Sequence, residues 1–348
     1  MTLAQAEASP ARSGLAASTA QRLTWLLVGV AVLVVVILAS IAVGSRDIPL
    51  PAVLDALLHS ADSDDRAIIM TLRIPRTLLG LAVGIALGLS GALIQALTRN
   101  PLADPGILGV NSGAALFVAV GVGYFGFTSI GAYVWFAFAG AVVATLAVYA
   151  IGSVGRGVAD PIRLTLAGVA MAAVLNGATT GLTLLNPAAF DRWRFWHAGS
   201  LTTPGFETTL AVAPFVIAGT LLALFVSRSL NAVALGEDLA RSLGANVLRT
   251  RALVVIAVTL LAGAATAAAG PIAFVGLMVP HVARWICGPD QRWIVAFTLV
   301  LAPILLIVSD ILGRIVMRPG ELQVGIVTAF VGAPVLIFLA RRRKVSGL

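Results

Sequence analysis

Few side chains in this sequence could carry covalent chemistry, and their spacing argues against it. The three histidines, His59, His197 and His281, lie far apart. None belongs to an H-E-x-x-H pattern or a Cys/His cluster, so no metal-ligand spacing is present. His281 follows Pro280 in an apolar run and reads as a satisfied polar group at a helix break. Cys287 is the single cysteine; it excludes an internal disulfide and reads as packing. GVGYFG, at 121–126, matches G-x-G-x-x-G, but a dinucleotide site needs a strand before it and a helix after it. Both neighbours here are long apolar runs. Lys344 is the only lysine, and it lacks the G-x-x-x-x-G-K-[ST] context of a phosphate loop. Nucleotide energy must therefore come from a partner. G-x-S-x-G is absent too. What remains is charge: Arg73 and Arg76 bracket Pro75, and Asp310 lies four residues before Arg314, on one helix face. Such groups either neutralise each other inside the protein or hold a partner's carboxylate, which the guanidinium fork grips bidentately.

The rest of the chain says where these charges sit. Of its 348 residues, 59% are hydrophobic and only 11% charged, with a mean hydropathy of +1.01. Soluble domains carry about 25% charged residues, so this is an integral membrane protein. The net charge of +8 is scattered between apolar runs, which excludes the basic face of a nucleic-acid binder. Only Arg341 to Lys344 cluster, as a topology signal or a contact with anionic membrane lipids.

A helix needs about 20 apolar residues to cross a bilayer. Ten such spans are expected, at about 23–43, 77–97, 107–125, 130–152, 164–185, 209–227, 252–270, 271–287, 293–313 and 324–340. Gly270 and Pro271 separate the seventh from the eighth, read as joined by a tight turn. Residues 1–21 read as a disordered cytoplasmic tail and 22–348 as one transmembrane domain. Ten spans put both termini on one side. With that side inside, 15 of the 23 Lys/Arg face the cytoplasm and 23 − 15 = 8 face outward, as the positive-inside rule requires. Arg73 and Arg76 then lie outside, where a helix is read to begin at Pro75. A helix N-terminus disfavours cations, so both placements call for a compensating partner. Gly80, Gly84 and Gly88 form a small-xxx-small stripe that permits close helix packing.

The segment 228–251 is the longest and most polar inner loop. ALGEDLARSLGANV within it reads as a short amphipathic helix stopping at Gly244, with Ala234, Leu235, Leu239 and Leu243 on one face. Its mixed charges suit docking onto a soluble protein better than lying on lipid.

From Leu72 to Leu116 the sequence resembles FecCD-type (BtuC-like) permeases of ABC importers for iron–siderophore complexes, haem or cobalamin. RFWHAGSL (194–201), GPIAFVGLMVPHVARW (270–285), SDILGRI (309–315) and ELQVGIVTAFVGAPVLIFL (321–339) extend the resemblance over about 70–340. It implies an all-α, ten-helix subunit of the bacterial cytoplasmic membrane that dimerises around a pathway, with itself or a paralogue. It also implies two copies of a separate ATPase, which uses ATP and magnesium, and an extracytoplasmic substrate-binding protein. No cofactor is expected on this chain. By the resemblance, Arg73, Arg76 and Arg314 meet the binding protein's glutamates. Leu235, Gly236, Glu237, Ala240, Leu243 and Gly244 contact the ATPase. Asn176, Thr179, Thr180 and Thr183 line the pathway, and by spacing they also share one helical face. The loop 152–163 resembles the cytoplasmic gate. Gln323 departs from the family's E-L-P-V-G, where proline would preset a helix start. The expected function is import of a ferric siderophore, with haem or cobalamin as alternatives. An ion-coupled secondary transporter would instead need an ionisable group near mid-membrane, and Asp310 is the only acidic candidate.

Overall fold

In the computed structural model, residues 14–16, 18–59, 63–127, 130–153, 161–203, 205–242 and 244–341 are described. Among them the chain is all helix and turn. The order is α1 (Thr19–Ala42), α2 (Leu50–Leu58), α3 (Asp64–Ile68), α4 (Ile74–Thr98), α5 (Val110–Gly123), α6 (Ile130–Ser153) and α7 (Pro161–Leu185). It continues with α8 (Pro187–His197), α9 (Glu207–Ala234), α10 (Glu237–Ser242), α11 (Val247–Ala269), α12 (Val275–Cys287), α13 (Gln291–Val316) and α14 (Val324–Arg341). Seven helical stretches are long and apolar enough to cross a membrane, α3 and α4 counting as one, and α5, α12 and α14 are shorter apolar helices. Each predicted span thus has its helix.

The centre of the bundle is α4, and its glycines explain why. A Cβ on Gly84 would lie 2.7 Å from Pro303 Cα, and one on Gly88 2.4 Å from Ala302 Cβ. The stripe therefore seats α4 against α13 at backbone distance, and dispersion between close backbones replaces the missing hydrophobic drive in lipid. One turn on, a Cβ at Gly91 would meet the Gly276 carbonyl oxygen at 2.0 Å, so α12 starts against the flank of α4.

Four boundaries differ from the sequence reading. The helix carrying Pro75 begins at Asp64, capped by the Ser63 hydroxyl, and passes through a π-helical turn at Ile69–Arg73. Proline inside a helix leaves a carbonyl without its partner, and the wider turn accommodates the break. Second, residues 270–274 are no tight turn but a non-helical stretch leading into α12, with Gly270 at φ 73° and Phe274 at φ 70°. Irregular backbone is tolerated at membrane depth where protein covers it; Gly270 and Ile272 are buried. Third, α9 runs to Ala234, so the inner loop is shorter than predicted and its helix α10 has only 6 residues. Fourth, residues 14–16 and 18–21 are not a disordered tail. Ser18 and Gln21 form a capping box, and the Leu15 and Ala16 amides donate to the Trp285 and Ile286 carbonyls at 3.0 and 2.8 Å. Residues 1–13 and most of the 152–163 loop lie outside the described residues.

Candidate functional site

Three arginines converge where α1 ends. The last carbonyls of a helix have no partner within it. Arg73 Nη1 donates to the Ile41 and Ala42 carbonyls at 3.0 and 2.6 Å, and its Nη2 to the Arg46 carbonyl at 2.6 Å. Arg314 Nη1 donates to the carbonyls of Ser40 and Val43 at 2.8 and 3.1 Å. Two cations thus cap the negative end of α1, a placement worth about 0.3–1 kcal/mol each when exposed and up to about 2 when partly buried.

Arg76 has acids instead. Its Nε and Nη2 grip Asp310 at 2.7–3.1 Å, and its Nη1 meets Glu321 Oε2 at 2.6 Å. Arg314 Nε joins Asp310 at 3.0 Å, with Nη2 paired to the same carboxylate. Asp310 is 1% exposed, Arg314 2%, Arg73 5% and Arg76 8%. The compensating partner demanded by the sequence is therefore internal. Because the helix begins at Asp64, neither arginine sits at a helix N-terminus. Glu321, in the loop before α14, is raised by burial but held below the usual carboxylate range by the hydrogen bond and charge of Arg76. Its bridge is complete at neutral pH and is lost only as pH falls through that lowered value.

A cavity of about 240 Å³ is lined by Arg46, Arg73, Arg76, Arg314, Thr203 and Glu321 among others. At its rim Arg46 is 59% exposed and faces Asp65 at 3.5 Å.

At the opposite end, α10 follows Gly236 and precedes Gly244, at φ 111° and 81°. Ala240 is buried and packs with Val233 and Val247. Leu235 and Leu239 stand 63% and 48% exposed beside Asp238 and Arg241. Of Glu237 only its place in α10 is described, and Leu243 lies outside the described residues. Apolar side chains that find no cover in their own chain fit a surface made for a partner.

On α7 the structure divides the predicted face. Asn176 and Thr180 are exposed, whereas Thr179 and Thr183 are 2% and 4% exposed. Those two hydroxyls donate to the Leu175 and Thr179 carbonyls at 2.8 and 2.9 Å. Open space surrounds Gly177 and Gly181. With Cys287 replaced by alanine, Asn176→Cys is expected to react with a water-soluble thiol reagent and Thr179→Cys to resist it. Equal labelling of the two, measured by mass shift, would refute the division.

A bundle of membrane-length apolar helices, with buried charge at one end and an exposed apolar knob at the other, defines a polytopic membrane protein. The FecCD transport family matches residues 32–342, and the chain belongs to that family. It is 51% identical over 316 residues to the ferric enterobactin transport system permease protein FepD of Escherichia coli, covering 90% of this chain and 94% of that one. It is 39% identical over 305 residues to the Fe(3+)-citrate import system permease protein YfmD of Bacillus subtilis, covering 88% and 90%. A solved metal-chelate type ABC transporter in an inward-facing conformation superposes with a TM-score of 0.81 at 25% identity, covering 91% of this chain and 98% of that one. The chain is thus an ABC permease and works with an ATPase and a substrate-binding protein.

Proposed function

We propose that this chain is the permease through which a ferric siderophore crosses the bacterial cytoplasmic membrane. The observation that carries the substrate class is the 51% identity, over 90% of the chain, to a ferric enterobactin permease. The geometry supports the transport cycle. A second permease, identical or paralogous, covers the exposed face of α7, and Asn176 and Thr180 meet water between the two subunits. Two ATPase subunits, which bind the ATP and magnesium, receive Leu235 and Leu239 of α10. The chain itself binds no cofactor and hydrolyses no ATP. The binding protein docks at the end bearing Arg46, its carboxylates meeting that exposed guanidinium, while the buried Arg73, Arg76 and Arg314 fix the surface behind it.

Asp310 speaks against ion coupling. A coupling carboxylate must exchange its ion, and this one is held by two guanidiniums. The test is uptake of radiolabelled ferric siderophore, haem and cobalamin by cells deleted for the gene and complemented with it. Ferric siderophore uptake alone is expected to depend on the gene. Cobalamin or haem uptake that depends on it, with siderophore uptake unaffected, would replace the substrate assignment.

A further inference from the structure

The stretch between α1 and α4 carries a helix with three unlike sides. At 3.6 residues per turn, Val53 and Ala56 of α2 share one side, Asp55 and His59 a second, and Leu50, Leu54, Leu57 and Leu58 a third, each roughly a third of a turn from the next. The first side is buried. It packs with Ile41 in the last turn of α1, Ile69 in the π turn and Ile74 at the start of α4. The second is polar and exposed, with the Asp55 carboxylate 2.8 Å from His59 Nδ1. The third is exposed along the whole helix, and no polar side chain lies among its leucines.

A row of leucines open on one side marks an interaction surface. What covers it follows from where α2 is held. Ile41 and Ile74 belong to the ends of two spanning helices, so α2 lies at the edge of the hydrocarbon, where α1 leaves the membrane. Only 6% of the most apolar stretch of α1 is buried, and its exposed face reaches Leu38, one turn before that end. The leucines of α2 continue this lipid-facing surface. The order of the sides fits as well, because an interfacial helix turns its apolar side into the acyl boundary and its polar side to water. A free interfacial helix also relies on cations to reach the lipid. α2 is tethered to α1 by only seven residues, 43–49, and is held at the surface without them. α10 differs, since Asp238 and Arg241 border its leucines.

We infer that α2 is an interfacial anchor whose partner is the outer leaflet of the bilayer. Leu50, Leu54, Leu57 and Leu58 enter the acyl boundary, and Asp55 and His59 face water. The anchor is joined to the docking end. Arg66 Nη1 donates to the Ala56 carbonyl at 2.5 Å and to the His59 carbonyl, closing the C-terminus of α2. Arg46, four residues before Leu50, faces Asp65 beside it.

The test uses the assembled transporter in nanodiscs with Cys287→Ala, which removes the one native thiol. A nitroxide is attached at Leu54→Cys, Leu57→Cys or Asp55→Cys. Its collisions with oxygen, which concentrates in hydrocarbon, are compared with its collisions with a water-soluble nickel chelate. Oxygen is expected to dominate at 54 and 57, placing those labels about 5–10 Å into the headgroup–acyl boundary. Nickel is expected to dominate at 55. Leu54→Asp combined with Leu58→Asp should abolish the oxygen excess at 57 while assembly with the ATPase persists, and an unchanged excess overturns the anchor. Nickel dominance at 54 and 57 in the parent protein overturns it too. So does exclusion of both reagents there, which marks cover by a second permease. Exclusion of nickel that begins only when binding protein is added marks a docking face and likewise overturns it. The measurement uses no substrate, so its outcome is independent of which chelate is imported.

Discussion

Asp310→Ala is expected to lower the stability of the folded bundle by about 3–5 kcal/mol, the usual cost of breaking a buried pair from one side. The carboxylate neutralises two guanidiniums at once, and its own exposure is 1%. Without it Arg76 keeps Glu321, and Arg314 keeps the Ser40 and Val43 carbonyls and the Ser40 hydroxyl. The unfolding midpoint of detergent-solubilised protein reads the loss, and a midpoint equal to wild type would refute the clamp. Arg73→Glu and Arg76→Glu are expected to abolish uptake as well. They cannot isolate docking, because each puts a carboxylate against α1 carbonyls or Asp310. Arg46→Glu can. An exposed pair contributes at most about 1 kcal/mol, so the fold survives. Affinity for the binding protein should fall, most clearly at low salt, where rim charges are least screened.

Leu239→Asp and Gly244→Val are each expected to abolish chelate uptake while the permease still inserts. Leu239 is an exposed apolar side chain on α10, and a carboxylate there would have to be desolvated inside the ATPase cleft. Gly244 needs a different argument. A Cβ would meet nothing within 4 Å, so space is not the obstacle, but φ is 81°. A β-branched residue is strained there, and the turn that closes α10 must move. The readout is ATPase activity stimulated by the binding protein, measured beside uptake. Full stimulation and full uptake in both variants would remove α10 from the coupling path.

Much of this was legible in the sequence because it is local. Runs of about 20 apolar residues mark the spans, and Gly80, Gly84 and Gly88 announce the close approach that α13 fills. Asp310 and Arg314, four apart, announce their own pairing. The partners of Arg73 and Arg76 were hidden for the opposite reason. They lie up to 245 residues away along the chain, and three of the five are backbone carbonyls, which leave no mark in a sequence. Periodicity also cannot tell a face turned to water from one turned inward, so Thr179 looked like Asn176. The true start of the α4 stretch was obscured by Pro75, which reads as a first-turn residue unless a π turn is foreseen. Tyr133 on α6 and Phe195 and Trp196 on α8 line one cavity with Gln323, a meeting that no local pattern announces.

The cap on α1 has a consequence for how the chain is made. Among the described helices α1 leaves the ribosome first, and only 6% of its most apolar stretch is buried in the finished bundle. Its end is held by Arg73, which follows soon after, and by Arg314, which is synthesised 274 residues later than Ser40. Until α13 enters the membrane, the carbonyls of Ser40 and Val43 lack their guanidinium and α1 lacks its main neighbour. A nascent chain is therefore incomplete at its beginning until almost its last helix arrives.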